Sequence, residues 1–145
     1  MCTERKAEGA RRRAWRIVLV AAALAAQTAL ACGICVEDRV AAVFDNATVD
    51  AAVAKKRHLA FFGVEGALPA TAESRKAIAD ALQASGGIKG TVRVSLESAS
   101  ASAVFDPAKT SLAALRAGAQ VRLAPRGLTL TALRVIDGGG VLKEP

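Results

Sequence analysis

Cys32 and Cys35 stand three residues apart in "CGIC". Their type and spacing suggest chemistry more directly than any other residues of the chain. Two thiolates that converge on one point offer near-linear ligation to Cu(I), or half of a tetrahedral Zn(II) site. Gly33 permits the tight local turn that convergence needs. A cysteine that opens a helix also becomes more acidic, because backbone N–H groups and the helix dipole favour its thiolate. The same two sulfurs are suited to disulfide exchange or to a short structural disulfide. A lipid anchor on Cys32 is a further use, and these alternatives stay open at this point.

Some readings of the pair are disfavoured by its surroundings. Thioredoxin-like enzymes place the motif after a strand within a βαβ unit, and no strand pattern precedes Cys32. Haem attachment needs a histidine directly after the second cysteine; Val36 stands there instead. A zinc site needs further ligands. The only histidine is His58, roughly 30 Å from Cys35 along an unbroken helix at about 1.5 Å per residue. A joint site is therefore not expected, and His58 reads as a solvated residue ahead of a strand.

Other groups carry less chemistry. Glu37 and Asp38 suit the first turn of a helix, where carboxylates offset the dipole. Glu65 falls in a predicted loop and reads as solvated. "DGGG" from Asp137 lacks the strand–loop–helix setting of a phosphate cradle. A Ser/His/Asp triad would have only His58 to use. No complete catalytic constellation is present, so the chain reads as a binding protein and not as an enzyme.

What must position the cysteines begins with the leader. Residues 1–31 have the pattern of an export signal peptide. Six basic residues precede the apolar run "IVLVAAALAA", and Ala29-Leu30-Ala31 gives an A-x-A cleavage site just before Cys32. A membrane span would need about 20 apolar residues, and Gln27 and Thr28 interrupt this run. The expected location is therefore exported, periplasmic, with membrane attachment only if Cys32 is lipidated. The lipidation signal is imperfect, since Ala29 occupies the position that usually holds leucine. Arg12-Arg13 resembles a twin-arginine signal only loosely.

Charge follows the leader. The whole chain is +7. The leader's six basic and two acidic residues supply four of these charges, leaving +3 on the remainder. No basic stripe with interleaved aromatics remains, so no nucleic-acid partner is expected. The expected partners are a metal ion and a protein partner. The residues after the leader suffice for about one domain, with a core of Ala, Val and Leu.

Residues 36–57 place Val36, Val40, Val43, Phe44, Ala47, Ala51 and Ala54 at steps that mostly suit a helix. They predict one N-terminal helical extension, residues 32–58, with Asn46 as a point where it could break. A short echo between "AVFDNATVDAAVAKK" and "AVFDPAKTSLAALRA" would instead make residues 40–45 a strand. "HLAFFGV" predicts a buried strand. Thr71 predicts a cap for a helix over 72–84 with Ile78, Ala81 and Leu82 on one face, ended by Gly86-Gly87. "GTVRVSLES" alternates, with Val92, Val94 and Leu96 inward, and "SASAVFDP" follows with Ala101, Ala103 and Phe105 inward. Ser111 caps a helix to about Ala124, and "LTLTALRVI" is the last strand. Residues 137–145 read as a flexible tail.

This order is β-α-β-β-α-β. It predicts an α+β, ferredoxin-like sandwich with a four-stranded sheet and two helices on one face, preceded by an extra N-terminal helix. That helix packs at an edge or over the open face. Residues 59–136, and above all "GIKGTVRVSLESASASAVFDPAKTSLAALRAG", resemble the heavy-metal-associated domain of copper chaperones and metal-transporting ATPases. The resemblance implies the ferredoxin-like fold and soft-metal handling. In that family the metal sits on a Cys-x-x-Cys in the loop after the first strand. Here that loop, "GVEGALPAT", has no cysteine. "CGICVEDRVAAV" looks like the family's metal motif followed by its helix, but lies about thirty residues too early. The expectation is a degenerate domain whose site is lost or has moved to Cys32 and Cys35. The ion would be Cu(I), or alternatively Zn(II). The rival expectations are a non-enzymatic periplasmic adaptor without metal and a thiol–disulfide redox protein.

Overall fold

The computed structural model describes residues 35–145. The leader, Cys32 and the first three residues of the CGIC motif lie outside the described residues. The described part is mixed α+β. A five-stranded antiparallel sheet carries helices on both faces.

The chain opens with two short helices, α1 (Val36–Ala41) and α2 (Asn46–Ala54), followed by β1 (His58–Glu65). Next come α3 (Ala72–Ala84), β2 (Arg93–Ser95) and β3 (Ser100–Phe105). α4 (Leu112–Leu123) leads through a single 3₁₀ turn to β4 (Thr129–Ile136) and β5 (Leu142–Lys143). The strand order is β2-β3-β1-β4-β5.

The single helix expected over 36–57 is broken. Asp45 leaves helical geometry at φ −147°, ψ 113° and starts a new helix, its carboxylate accepting from the Thr48 backbone N–H. A short polar side chain competes in this way for helix N–H groups and resets the helix. The break also shifts the phase of the buried face. Ala47, Ala51 and Ala54, expected inward, are exposed, whereas Ala52 is buried and Val49 packs inward. No strand forms over 40–45, so the sequence echo has no structural counterpart there.

β1 is buried on both sides. Ala60, Phe62 and Val64 face α3 and α4, packing with Ile78, Leu82, Leu115 and Leu123. Leu59 and Phe61 face the other way, toward Val36, Val40, Val43 and Ala52 of the N-terminal helices. The extension thus lies over the face that a bare four-stranded sheet would leave open. β3 follows the same logic. Ala101, Ala103 and Phe105 point to α3 and α4 as expected, while Val104 joins the opposite cluster. Ser102 on that face donates to the Val43 carbonyl at 3.1 Å.

Both core helices begin as expected. Thr71 and Ser111 accept from the backbone N–H groups of Ser74 and Ala114. After α3 the chain turns at Gly86, whose φ is +117°. A Cβ there would lie 2.8 Å from the Thr110 methyl, so the position suits glycine on two counts. β2 is shorter than its alternation suggested, although Val92, Val94 and Leu96 do pack on the inner face. Residues 137–145 are not wholly a tail. Leu142 and Lys143 pair with Ile136 and Val135 and add the fifth strand. The irregularity opposite Phe61 and Phe62 leaves Leu133 unpaired. A bulge of this kind shifts which residues face each side.

Candidate functional site

Cys35 occupies the N-cap position of α1, with φ −56° and ψ 151°. Its thiol is exposed and unbridged, and its side chain makes no capping hydrogen bond. Its carbonyl accepts the Arg39 backbone N–H at 3.0 Å. The thiol thus starts the first turn of a helix that is held on the sheet. Cys32, the other expected ligand, lies outside the described residues.

Arg39 does the holding. It sits on α1 four residues after Cys35, and its side chain passes over β1. One guanidinium nitrogen donates to the Ala99 carbonyl at 2.7 Å and to the Val64 carbonyl at 3.2 Å. Ala99 has a positive φ of 46°, which turns its carbonyl toward both Arg39 and the Val64 N–H. Gly63 makes room for the group. A Cβ at Gly63 would lie 2.9 Å from the central carbon and both terminal nitrogens of the guanidinium. Val36 and Val40 add apolar contact on the same face of the sheet. Glu37 pairs with Arg134 of β4 at 3.3 Å. An exposed pair of this kind contributes little energy.

Along α1, Val36, Val40, Ala41, Phe44 and Leu142 line an open, mostly apolar groove that the charged Glu37 and Arg134 also border. Phe44 stacks on Phe61 with ring centroids 6.2 Å apart. It is nevertheless 42% exposed, and Leu142 is 55% exposed.

His58 is not a solvated residue ahead of the strand. It is the first residue of β1, half-buried, with its ring edge-on to Phe105 at 5.4 Å between centroids. Among the described residues no three His, Cys, Asp or Glu side chains converge to hold a metal ion. Glu65 closes β1 and does not lie in a loop; Thr131 donates to it at 3.4 Å. The "DGGG" segment is the β4–β5 turn. Asp137 accepts from the backbone N–H groups of Gly139 and Val141 at 2.9 and 3.0 Å. It also pairs with Lys143 at 2.5 Å. The Lys143 ammonium and these N–H groups hold the Asp137 carboxyl down at about 2. No helix among the described residues is long and apolar enough to cross a membrane.

Sequence reasoning did not find Arg39 or Gly63. Their partnership spans 24 positions and needs the fold to be visible. It also did not find the pairing of Asp45 with Arg93 at 2.8 Å. That bond, with the Thr48 side chain and N–H, pushes the Asp45 carboxyl below its ordinary value, the Thr48 hydroxyl contributing most. Comparison of the chain with protein-family models, curated proteins and solved structures gives no match.

Proposed function

We propose that this is an exported, non-enzymatic protein that binds a soft metal ion, Cu(I), through Cys32 and Cys35. One observation carries the reading: Cys35 presents a free, exposed thiol at the first turn of a helix pinned to the sheet by Arg39. A thiol on a fixed element is a better half of a two-sulfur site than one on a loose terminus, because less freedom is lost when the metal is bound. Cys32, three positions earlier, supplies the second sulfur. Two thiolates suit Cu(I) without further ligands.

The frame for this site is a ferredoxin-like βαββαβ unit related to the heavy-metal-associated domain. The order β2-β3-β1-β4 and the two crossover helices α3 and α4 on one face support the ferredoxin-like topology, and the relation to that family rests on the sequence resemblance alone. The metal motif has moved from the first loop of the unit to the start of α1, on the opposite face.

A second reading is a periplasmic interaction module without metal. The mostly apolar groove of Val36, Val40, Phe44 and Leu142 along α1 favours it. Competitive titration with Cu(I) separates the two. The full chain as exported is titrated beside the Cys32→Ser/Cys35→Ser double variant. The metal reading predicts one Cu(I) per chain and loss of that binding in the variant. Unchanged binding in the variant, or an acylated Cys32 by intact mass, overturns it.

A further inference from the structure

Away from the cysteines, a cavity of about 300 Å³ opens between α2 and the β2–β3 edge of the sheet. That volume is at the lower end of sites for small organic molecules. Its floor includes the buried apolar side chains of Ala52 and Val104. Its rim carries three cations: Lys55 at the end of α2, Arg57 just before β1, and Arg93 on β2.

The one carboxylate in the lining is Asp45. Its Oδ2 is engaged three times, accepting from the Thr48 N–H at 3.0 Å, the Thr48 hydroxyl at 2.5 Å and Arg93 at 2.8 Å. Its one ion-pair partner among the described residues is Arg93. Lys55 and Arg57 have no ion-pair partner among the described residues. Lys55 is accounted for in part by its place at a helix C-terminus, where a cation is favoured. Arg57 lies beyond the helix and has no such account.

The neutral polar groups of the cavity are already committed. The Thr91 hydroxyl donates to the Ile88 carbonyl at 2.7 Å and accepts from the Val104 N–H at 3.2 Å. Thr48 is bound to Asp45. Little is left to recognise a sugar or a neutral polar molecule. What remains is a guanidinium, an ammonium and an apolar floor. A guanidinium offers parallel N–H groups to two oxygens of one anionic group. We infer that this cavity binds a small organic anion, its charged oxygens held by Arg57 and Lys55 and its compact apolar body seated on Ala52 and Val104. The inference does not depend on the cysteines or on metal binding.

Phenyl phosphate is the probe, added to the ¹⁵N-labelled full chain and followed by amide shifts. The expected result is saturable one-site binding, with the amides of Ala51, Ala52 and Thr91 moving together. Lys55→Gln/Arg57→Gln should weaken it at least tenfold. Lys109→Gln/Arg116→Gln removes the same charge from exposed positions elsewhere and should change it less than twofold. Inorganic phosphate, which cannot use the floor, should bind at least fivefold more weakly than phenyl phosphate. Absence of saturable binding, shifts centred elsewhere, equal loss in both double variants, or equal affinity for inorganic phosphate each overturns the inference.

Discussion

Gly63→Ala tests how α1 is fastened to the sheet. The new methyl would lie 2.9 Å from three atoms of the Arg39 guanidinium, so the guanidinium must move off its native position. With it go the hydrogen bonds to the Ala99 and Val64 carbonyls. Bonds from a charged donor contribute about 1.5–3 kcal/mol each. Here the loss falls toward the lower end for the pair together. Ala99 keeps a second donor, the Val64 N–H at 2.8 Å, and the Arg39 Nε is buried without a partner, a cost already present in the native state. We expect Gly63→Ala to destabilise by about 2 kcal/mol. In an Arg39→Met background the same change should cost under about 0.5 kcal/mol, since methionine ends short of the guanidinium carbon and alanine suits a strand better than glycine does. The coupling is therefore about 1.5 kcal/mol. Urea unfolding of the four proteins of this cycle, at equal slope, measures it. If Gly63→Ala costs the same in both backgrounds, Arg39 does not occupy the space over Gly63 and the fastening is wrongly described.

Phe61→Ala and Phe62→Ala should each cost about 3–5 kcal/mol, because the two rings are fully buried on opposite faces of β1; a Phe61 variant that is nearly neutral in urea unfolding would mean that α1 and α2 do not cover the sheet. Thr71→Ala should cost about 1 kcal/mol through loss of the α3 cap, with Thr71→Ser restoring most of it; equal stability of all three proteins refutes the cap. Asp137 is held at about 2 in the folded protein. A depressed carboxyl contributes its stability above the unfolded value of 3.8 and loses it as pH falls through about 2. Carboxyl ¹³C shifts should therefore titrate near 2, and at a higher pH in Lys143→Met. A wild-type midpoint at 3.8 would mean that the β4–β5 turn does not engage Asp137.

The elements with local signals were the legible ones. Thr71 and Ser111 cap their helices from within three residues, and the apolar faces of α3 and α4 repeat at helical spacing. The inward set of β3 was readable from alternation. The burial of its other face was not, since Ser100 and Ser102 look like solvent-facing residues and are buried under the N-terminal segment. The break at Asp45 depended on a choice between continuing the helix and capping a new one. Arg93, 48 residues away, helps to hold that carboxylate in place, and no local pattern contains it. Likewise β5 exists because Asp137 closes a turn with Lys143, where glycines alone suggested a loose tail. Of the candidate site, the motif and the place of Cys35 ahead of a helix were readable. Arg39 and Gly63 were not, since an arginine on a helix and a glycine in a strand each look ordinary until the fold stacks them.

Copper K-edge absorption of the Cu(I)-loaded full chain examines the ligand set itself. Metal held by Cys32 and Cys35 gives a first shell of two sulfur scatterers, absent from the Cys32→Ser/Cys35→Ser protein after the same loading. A shell of nitrogen or oxygen, or an identical sulfur shell in the double variant, contradicts the assignment of the CGIC motif as a metal site.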